Sequence, residues 1–214
     1  MTVYAVCCTT RSGSTFLCSL LESAGLGKPA EYLNHDEKTG FPHWRKVFGL
    51  PESVSTTDYL DTIIAGRQQN GIFGIKTVRT AMHKAVAKHA PTVAVFLRRR
   101  DTLRQAISLY RAETSGAFVE ANGFHRAVPF CEASILKAQN RILAANSRWA
   151  DYLGGLAEMP RNVFYEDVVA DPMGSVLKIR DFLGSTLPIT EVEADTDIMS
   201  DEITDEWERR LVSR

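Results

Sequence analysis

The chain has 214 residues, 44% of them hydrophobic and 24% charged, with a formal net charge of −1. That length suits one domain, residues 1–214, with a core large enough to stand without disulfide or metal staples. The charge balance excludes a general nucleic-acid binder, which carries a basic excess, so any anion site is built locally.

Val3–Cys8 (VYAVCC) is an apolar run of strand formers, on which adjacent Cys7 and Cys8 point to opposite faces. Thr9–Gly13 (TTRSG) is turn chemistry. Ser14–Ala24 then reads as a helix, with Phe16, Leu17, Leu20 and Leu21 at helical spacing and Gly25 as its stop. Residues 27–51, with scattered Pro, Gly, Asn and His, read as loop. Thr57–Gln68 is a helix capped by Thr56 or Thr57, Gly71–Lys76 (GIFGIK) a second strand, and Val78–His89 a helix ended by Pro91. Thr92–Leu97 (TVAVFL) is a third strand, and Asp101 caps a helix running to Glu113. Pro129–Leu153 is a long amphipathic helix and Asn162–Tyr165 (NVFY) a fourth strand. Pro172 opens a helix that ends near Gly184, and Asp201–Leu211 is a short charged helix. Apolar strands alternating with helices predict an α/β fold, a mostly parallel central sheet with helices on both faces.

Cys7, Cys8, Cys18 and Cys131 form no CxxC pair and no zinc-spaced cluster, the usage of reduced thiols in a cytoplasmic protein. No run of about 18 apolar residues marks a membrane span. No basic segment precedes an apolar stretch at the N-terminus, so no signal peptide is expected.

The first strand delivers its loop to a helix N-terminus, where free N–H groups and the helix dipole favour an anion. The loop adds the Arg11 guanidinium, the hydroxyls of Ser12, Ser14 and Thr15, and a close backbone approach at Gly13. By itself this also describes a Ser-capped helix start with one surface arginine. It is not a Walker A loop: the one Gly-Lys pair, Gly27-Lys28, is followed by Pro29 in place of Ser or Thr. The third strand ends in Arg98-Arg99-Arg100, at the sheet edge where ligands of open α/β folds bind. Ser108 follows Arg100 by eight residues, two turns into the next helix.

The run T-R-S-G-S-T-F-L, Thr10 to Leu17, resembles the 5′-phosphosulfate loop of sulfotransferases that use 3′-phosphoadenosine 5′-phosphosulfate (PAPS). Many members carry Lys where this chain has Arg11. Arg there, with the chain running on into G-K-P-A-E-Y-L, is closer to the branch that includes the trehalose 2-sulfotransferase of mycobacteria. The resemblance implies a P-loop-like three-layer sandwich, with residues Arg11 to Phe16 on the phosphosulfate end of the donor. The Arg100…Ser108 spacing is similar to the pair that holds the 3′-phosphate in that family, with Arg99 as the alternative to Arg100. Val163–Pro172 followed by Asp181–Gly184 resembles the family's "YEDL…P…FLG" region and reads as scaffold.

Sulfuryl transfer needs alignment, positive charge on the transferring group and a base for the hydroxyl proton. Lysine, arginine and helix N–H groups supply that charge, so no metal is expected. Lys76, in F-G-I-K-T-V, reads on spacing alone as a strand-end surface lysine; the resemblance makes it catalytic. In cytosolic relatives this strand ends in Lys-Thr-His, the His being the base; here the third residue is Val78. Glu31, in G-K-P-A-E-Y-L-N, occupies the position where the trehalose branch carries a Glu base, with His35 and His43 as alternatives. The acceptor is expected to be a small hydroxyl compound, a sugar or glycolipid, bound by residues 31–44 and 110–130. Tyr32, His43, Trp44, Tyr110, Phe118 and Phe124 are candidates to stack on a sugar face. Two rival readings stand beside a sulfotransferase: a non-catalytic PAPS- or PAP-binding protein, favoured by Val78, and a P-loop kinase or NTPase, disfavoured by the absent Gly-Lys-Ser/Thr. Related enzymes include dimers, and the helix from Pro129 carries apolar surface for such a pairing.

Overall fold

The computed structural model describes residues 1–90, 92–116, 128–195 and 202–213. Strands β1 (Thr2–Cys8), β2 (Ile72–Thr77), β3 (Val93–Arg98) and β4 (Arg161–Phe164) form one sheet in the order β2-β1-β3-β4, with every neighbouring pair parallel. Among the described residues the helices are α1 (Ser14–Ser23), α2 (Phe41–Val47), α3 (Thr56–Arg67), α4 (Thr80–His89), α5 (Thr102–Ser115), α6 (Glu132–Gly154), α7 (Tyr165–Ala170), α8 (Pro172–Phe182) and α9 (Glu202–Val212).

The period of two along β1 sets the layers. Tyr4, Val6 and Cys8 face α1, α7 and α8; Val3, Ala5 and Cys7 face α3, α4 and α6. Both faces are covered, which is why β1 reads as a continuous apolar run and not an alternating one. Cys7 and Cys8 do lie on opposite faces, and both are free thiols. A third core packs α5, α6 and α9 around Ile107, Ile142 and Trp207. No described helix is long and apolar enough to cross a membrane.

From β1 the chain crosses to β2 on one side, then returns past β1 to β3 on the other. In open α/β sheets such a reversal of strand order sets the ligand crevice at the C-terminal ends of the strands that flank it, here β1 and β3. The outer edge of β2 is covered by the segment after α1. Gly27 has φ +89, and a Cβ there would lie 2.9 Å from the Gly74 nitrogen and the Ile72 oxygen, so only glycine lets the segment come this close. Lys76 N–H then donates to the Ala30 carbonyl at 2.9 Å, which ties this segment to the strand end.

Three local expectations are corrected. Residues 27–51 contain α2, which starts after Gly40 with Pro at its first turn and packs Phe41, Trp44 and Phe48 on the core. The α3 cap is Ser55, whose hydroxyl accepts the Asp58 N–H at 3.1 Å; Thr56 is already helical. The fourth strand ends at Phe164, and Tyr165, expected as its last residue, opens α7.

Candidate active site

The loop between β1 and α1 is left-handed at two residues, Arg11 (φ 64) and Gly13 (φ 87). No side chain caps α1, whose N-terminal N–H groups are the donors an anion uses. A Cβ on Gly13 would sit 2.0 Å from the Tyr165 ring, so the first residue of α7 packs directly on the loop. The Ser12 hydroxyl is buried and bonds to no protein nitrogen or oxygen; Ser14 is buried at the helix start, Thr15 exposed and Phe16 half-buried against the core.

Alternation along β3 decides which arginine reaches this loop. Val95 and Leu97 face α1, so Arg99 continues on that face, and its guanidinium lies 4.5 Å from the centre of the Tyr165 ring. Its Nε is buried with no hydrogen-bond partner. Arg11 Nε donates to Ser108 Oγ at 2.9 Å, which joins the first loop directly to α5. Arg111, one turn after Ser108 on the same helix, is buried and donates to Thr204 Oγ1 at 2.9 Å. Burial, then the like charges of Arg99 and Arg111, push the Arg11 pKa down. The like charges around Arg11 make its surroundings favourable for an anion.

Arg100 is turned elsewhere. It makes two 2.8 Å hydrogen bonds to the Asp167 carboxylate, lies over Phe164, and leaves half its side chain (51%) in solvent. Its backbone N–H is held by Glu166. The Arg100 hydrogen bond holds the Asp167 carboxyl below its ordinary value.

Alternation along β2 puts Lys76 on the α1 face, since Phe73 and Ile75 point the other way. Lys76 Nζ pairs with Glu31 Oε1 at 2.9 Å and donates to Thr15 Oγ1 at 3.4 Å. Asn34 Nδ2 donates to the second carboxylate oxygen of Glu31 at 2.7 Å. Burial, the largest single effect, would lower the Lys76 pKa, but the charge and hydrogen bond of Glu31 together with the nearby Cys18 and Cys8 thiols outweigh it and hold the ammonium above its usual value. Glu31, Lys76 and Thr15, far apart in sequence, therefore form one polar group at the start of α1.

Of the aromatic candidates, Tyr32 belongs to the core: it is fully buried, stacks on Phe73, and its hydroxyl is taken by the Lys28 carbonyl and Arg67. Trp44 lies against Tyr32, with the Arg67 guanidinium 4.7 Å from its ring centre, and His43 packs edge-on to it. His35 is exposed, and neither histidine hydrogen-bonds to the Lys76 group. Tyr110 packs near Trp207 and donates to the Pro129 carbonyl. Phe118 and Phe124 lie outside the described residues. Two neighbours of the crevice were not singled out from sequence, Tyr165 and Arg111. Arg111 was findable as the residue one turn after Ser108; Tyr165 had no signal beyond its strand-end position. Among the described residues no cluster of His, Cys, Asp and Glu is arranged to hold a metal.

No curated protein matches the sequence. Among solved structures, the sulfotransferase domain from the curacin biosynthetic pathway superposes with TM-score 0.55 at 17% identity, over 88% of this chain and 76% of that one. A sulfotransferase from Alicyclobacillus acidocaldarius gives 0.54 at 14% identity, over 100% and 92%. Mouse sulfotransferase SULT7A1, complexed with PAP, gives 0.50 at 12% identity, over 98% and 64%. At these identities the likeness is one of architecture, a shared P-loop-like α/β fold. Sequence carries the rest: the family model for Stf0 sulphotransferases matches residues 3–213, nearly the whole chain, and this protein belongs to that family.

Proposed function

We propose that the protein transfers a sulfuryl group from PAPS to a hydroxyl of a small carbohydrate-like acceptor, a sugar or glycolipid. The observation that carries this reading is the Glu31–Lys76–Thr15 group at the start of α1, next to the Arg11–Ser108 link, in a member of a sulfotransferase family. The donor brings an activated sulfuryl group and a phosphate leaving group, and its anionic ends fit what the chain offers. Arg11, Ser12, Gly13, Ser14 and Thr15, with Phe16 behind them, wrap the phosphosulfate; Ser108 and Arg99, with Arg111 adding charge, hold the 3′-phosphate. Tyr165, packed on Gly13, shapes the wall between them. Arg100, bound to Asp167, braces the strand end and adds positive field from outside.

Glu31 is the base and Lys76 the electrophilic partner. Transfer forms the acceptor O–S bond and breaks the bond from sulfur to the phosphate oxygen. The hydroxyl proton goes to Glu31 and the electron pair to the phosphate of PAP. Lys76, between the Glu31 carboxylate and Thr15, meets the charge that develops on the sulfuryl and leaving oxygens. Asn34 fixes the orientation of the carboxylate.

The test is transfer from labelled PAPS to a panel of sugars and glycolipids, with products identified by mass. A product heavier by one sulfuryl group is expected. Glu31→Gln should lower kcat by about 100-fold or more while PAP affinity stays within about twofold. An equal kcat in Glu31→Gln removes the base assignment. PAP binding with no transfer to any hydroxyl compound would leave a nucleotide-binding protein instead.

A further inference from the structure

Nothing in the reading above says what keeps the β1–α1 loop in its shape before a ligand arrives. Arg11 is held in the left-handed region at a cost, and the buried Ser12 hydroxyl has no partner, so the loop needs support from behind. That support comes from α5 and α6. Gln105 on α5 is fully buried, and its Nε2 donates to Thr9 Oγ1 at 2.9 Å and to the Thr10 carbonyl at 2.8 Å. Thr9 Oγ1 in turn donates a hydrogen bond to Asn146 Oδ1 on α6 at 3.4 Å. Trp149, one turn further along α6, donates Nε1–H to the Cys8 carbonyl at 3.0 Å. Three consecutive residues leading into the loop are thus gripped by side chains of two helices.

The chemistry fixes the direction of this network. The Thr10 carbonyl only accepts, so the Gln105 amide must present N–H to it and cannot be turned over. The Thr9 hydroxyl, having accepted from Gln105, is left to donate to Asn146. A buried glutamine at the price of an unpartnered Oε1 is poor value for stability alone. Its two donated bonds both end on the loop.

We propose that Gln105 is a positioning residue, holding the phosphate loop in its anion-binding shape through Thr9 and Thr10 without touching the substrate. Because Gln105 lies one turn before Ser108 on α5, the same helix that contributes to one phosphate site sets the backbone of the other. This inference rests on the donor-binding reading above.

The experiment measures PAP binding by calorimetry on fully folded protein at 20 °C below the lowest Tm of the set, roughly the margin at which a domain of this size is essentially all native. Wild type is compared with Gln105→Met, Thr9→Val and Ile63→Val, the last a core trim on α3 remote from the loop. Gln105→Met should weaken PAP by about tenfold and Thr9→Val by about threefold, while Ile63→Val lowers Tm and leaves PAP affinity unchanged. Gln105→Glu supplies the rescue. At about pH 5, a buried carboxyl that holds its proton regains one O–H donor for Thr10, and its PAP affinity should exceed that of Gln105→Met. If Gln105→Met and Thr9→Val bind PAP as wild type does, or Gln105→Glu never exceeds Gln105→Met, the positioning role is wrong. Should Gln105→Met not fold, Thr9→Val alone decides. Failure of wild type to bind PAP overturns the donor reading itself, a separate result.

Discussion

Arg99 and Arg100 are neighbours in sequence and differ in almost everything else. Arg99 points into the crevice over Tyr165 with a buried, unpartnered Nε; Arg100 is held outside by Asp167. A charge-assisted contact to a phosphate contributes about 1.5–3 kcal/mol, so Arg99→Ala should weaken PAP by roughly tenfold or more. Arg100→Ala breaks a surface pair of small net value and should change PAP affinity by about threefold at most. Calorimetric titration of both variants checks this; the reverse order would return the 3′-phosphate to Arg100. The spacing of eight residues from Arg100 to Ser108 is real, but spacing along the chain carries no information on which face of a strand end a side chain takes. The alternation of Val95, Leu97 and Arg99 does, and it is readable only once the buried faces of β3 are known. Glu31 and Lys76 were singled out by resemblance, but at 45 positions apart nothing in the sequence says that they meet. Their 2.9 Å contact follows from the segment after α1 lying along the edge of β2.

Helix α5 is the element on which the site depends most. It carries Gln105 and Ser108 on the side that meets the loop, and its start is fixed by Asp101, whose carboxylate accepts the Arg104 N–H at 2.8 Å. At its outer face Arg104 is pinned to Asp205 and Glu208 of α9, both at 2.7 Å. Asp101→Ala should therefore cost about 1 kcal/mol, a fall in Tm of about 2–4 °C for a chain of this size, measured by thermal unfolding. A larger fall would mean that α9 docking depends on the cap as well. Asp101 was legible because an aspartate before an amphipathic run is a strong local signal. Helices α2 and α7 were not. Both are short, seven and six residues, and neither has a side-chain cap. Each is held by tertiary packing, of Phe41 and Trp44 on one core and Tyr165 and Val168 on the other, which no local window contains.

For the molecule as a whole, the parallel sheet and its flanking helices follow from pattern: apolar strands buried on both faces alternate with helices, and the element order alone leaves few topologies. The order β2-β1-β3-β4 adds the position of the crevice, and the crevice gathers residues from β1, β2, β3 and the α7 start that sequence lists separately. Convergence of cations is what sets the account's central claim: a site for a nucleotide with phosphates at two ends, read without a Walker lysine and without a metal. Calorimetry of PAP against ATP, each with and without magnesium, tests that claim most directly. The account predicts PAP binding that is tighter than ATP binding and indifferent to magnesium. No PAP binding, or tighter binding of ATP with magnesium, would contradict it and assign the loop to a different nucleotide.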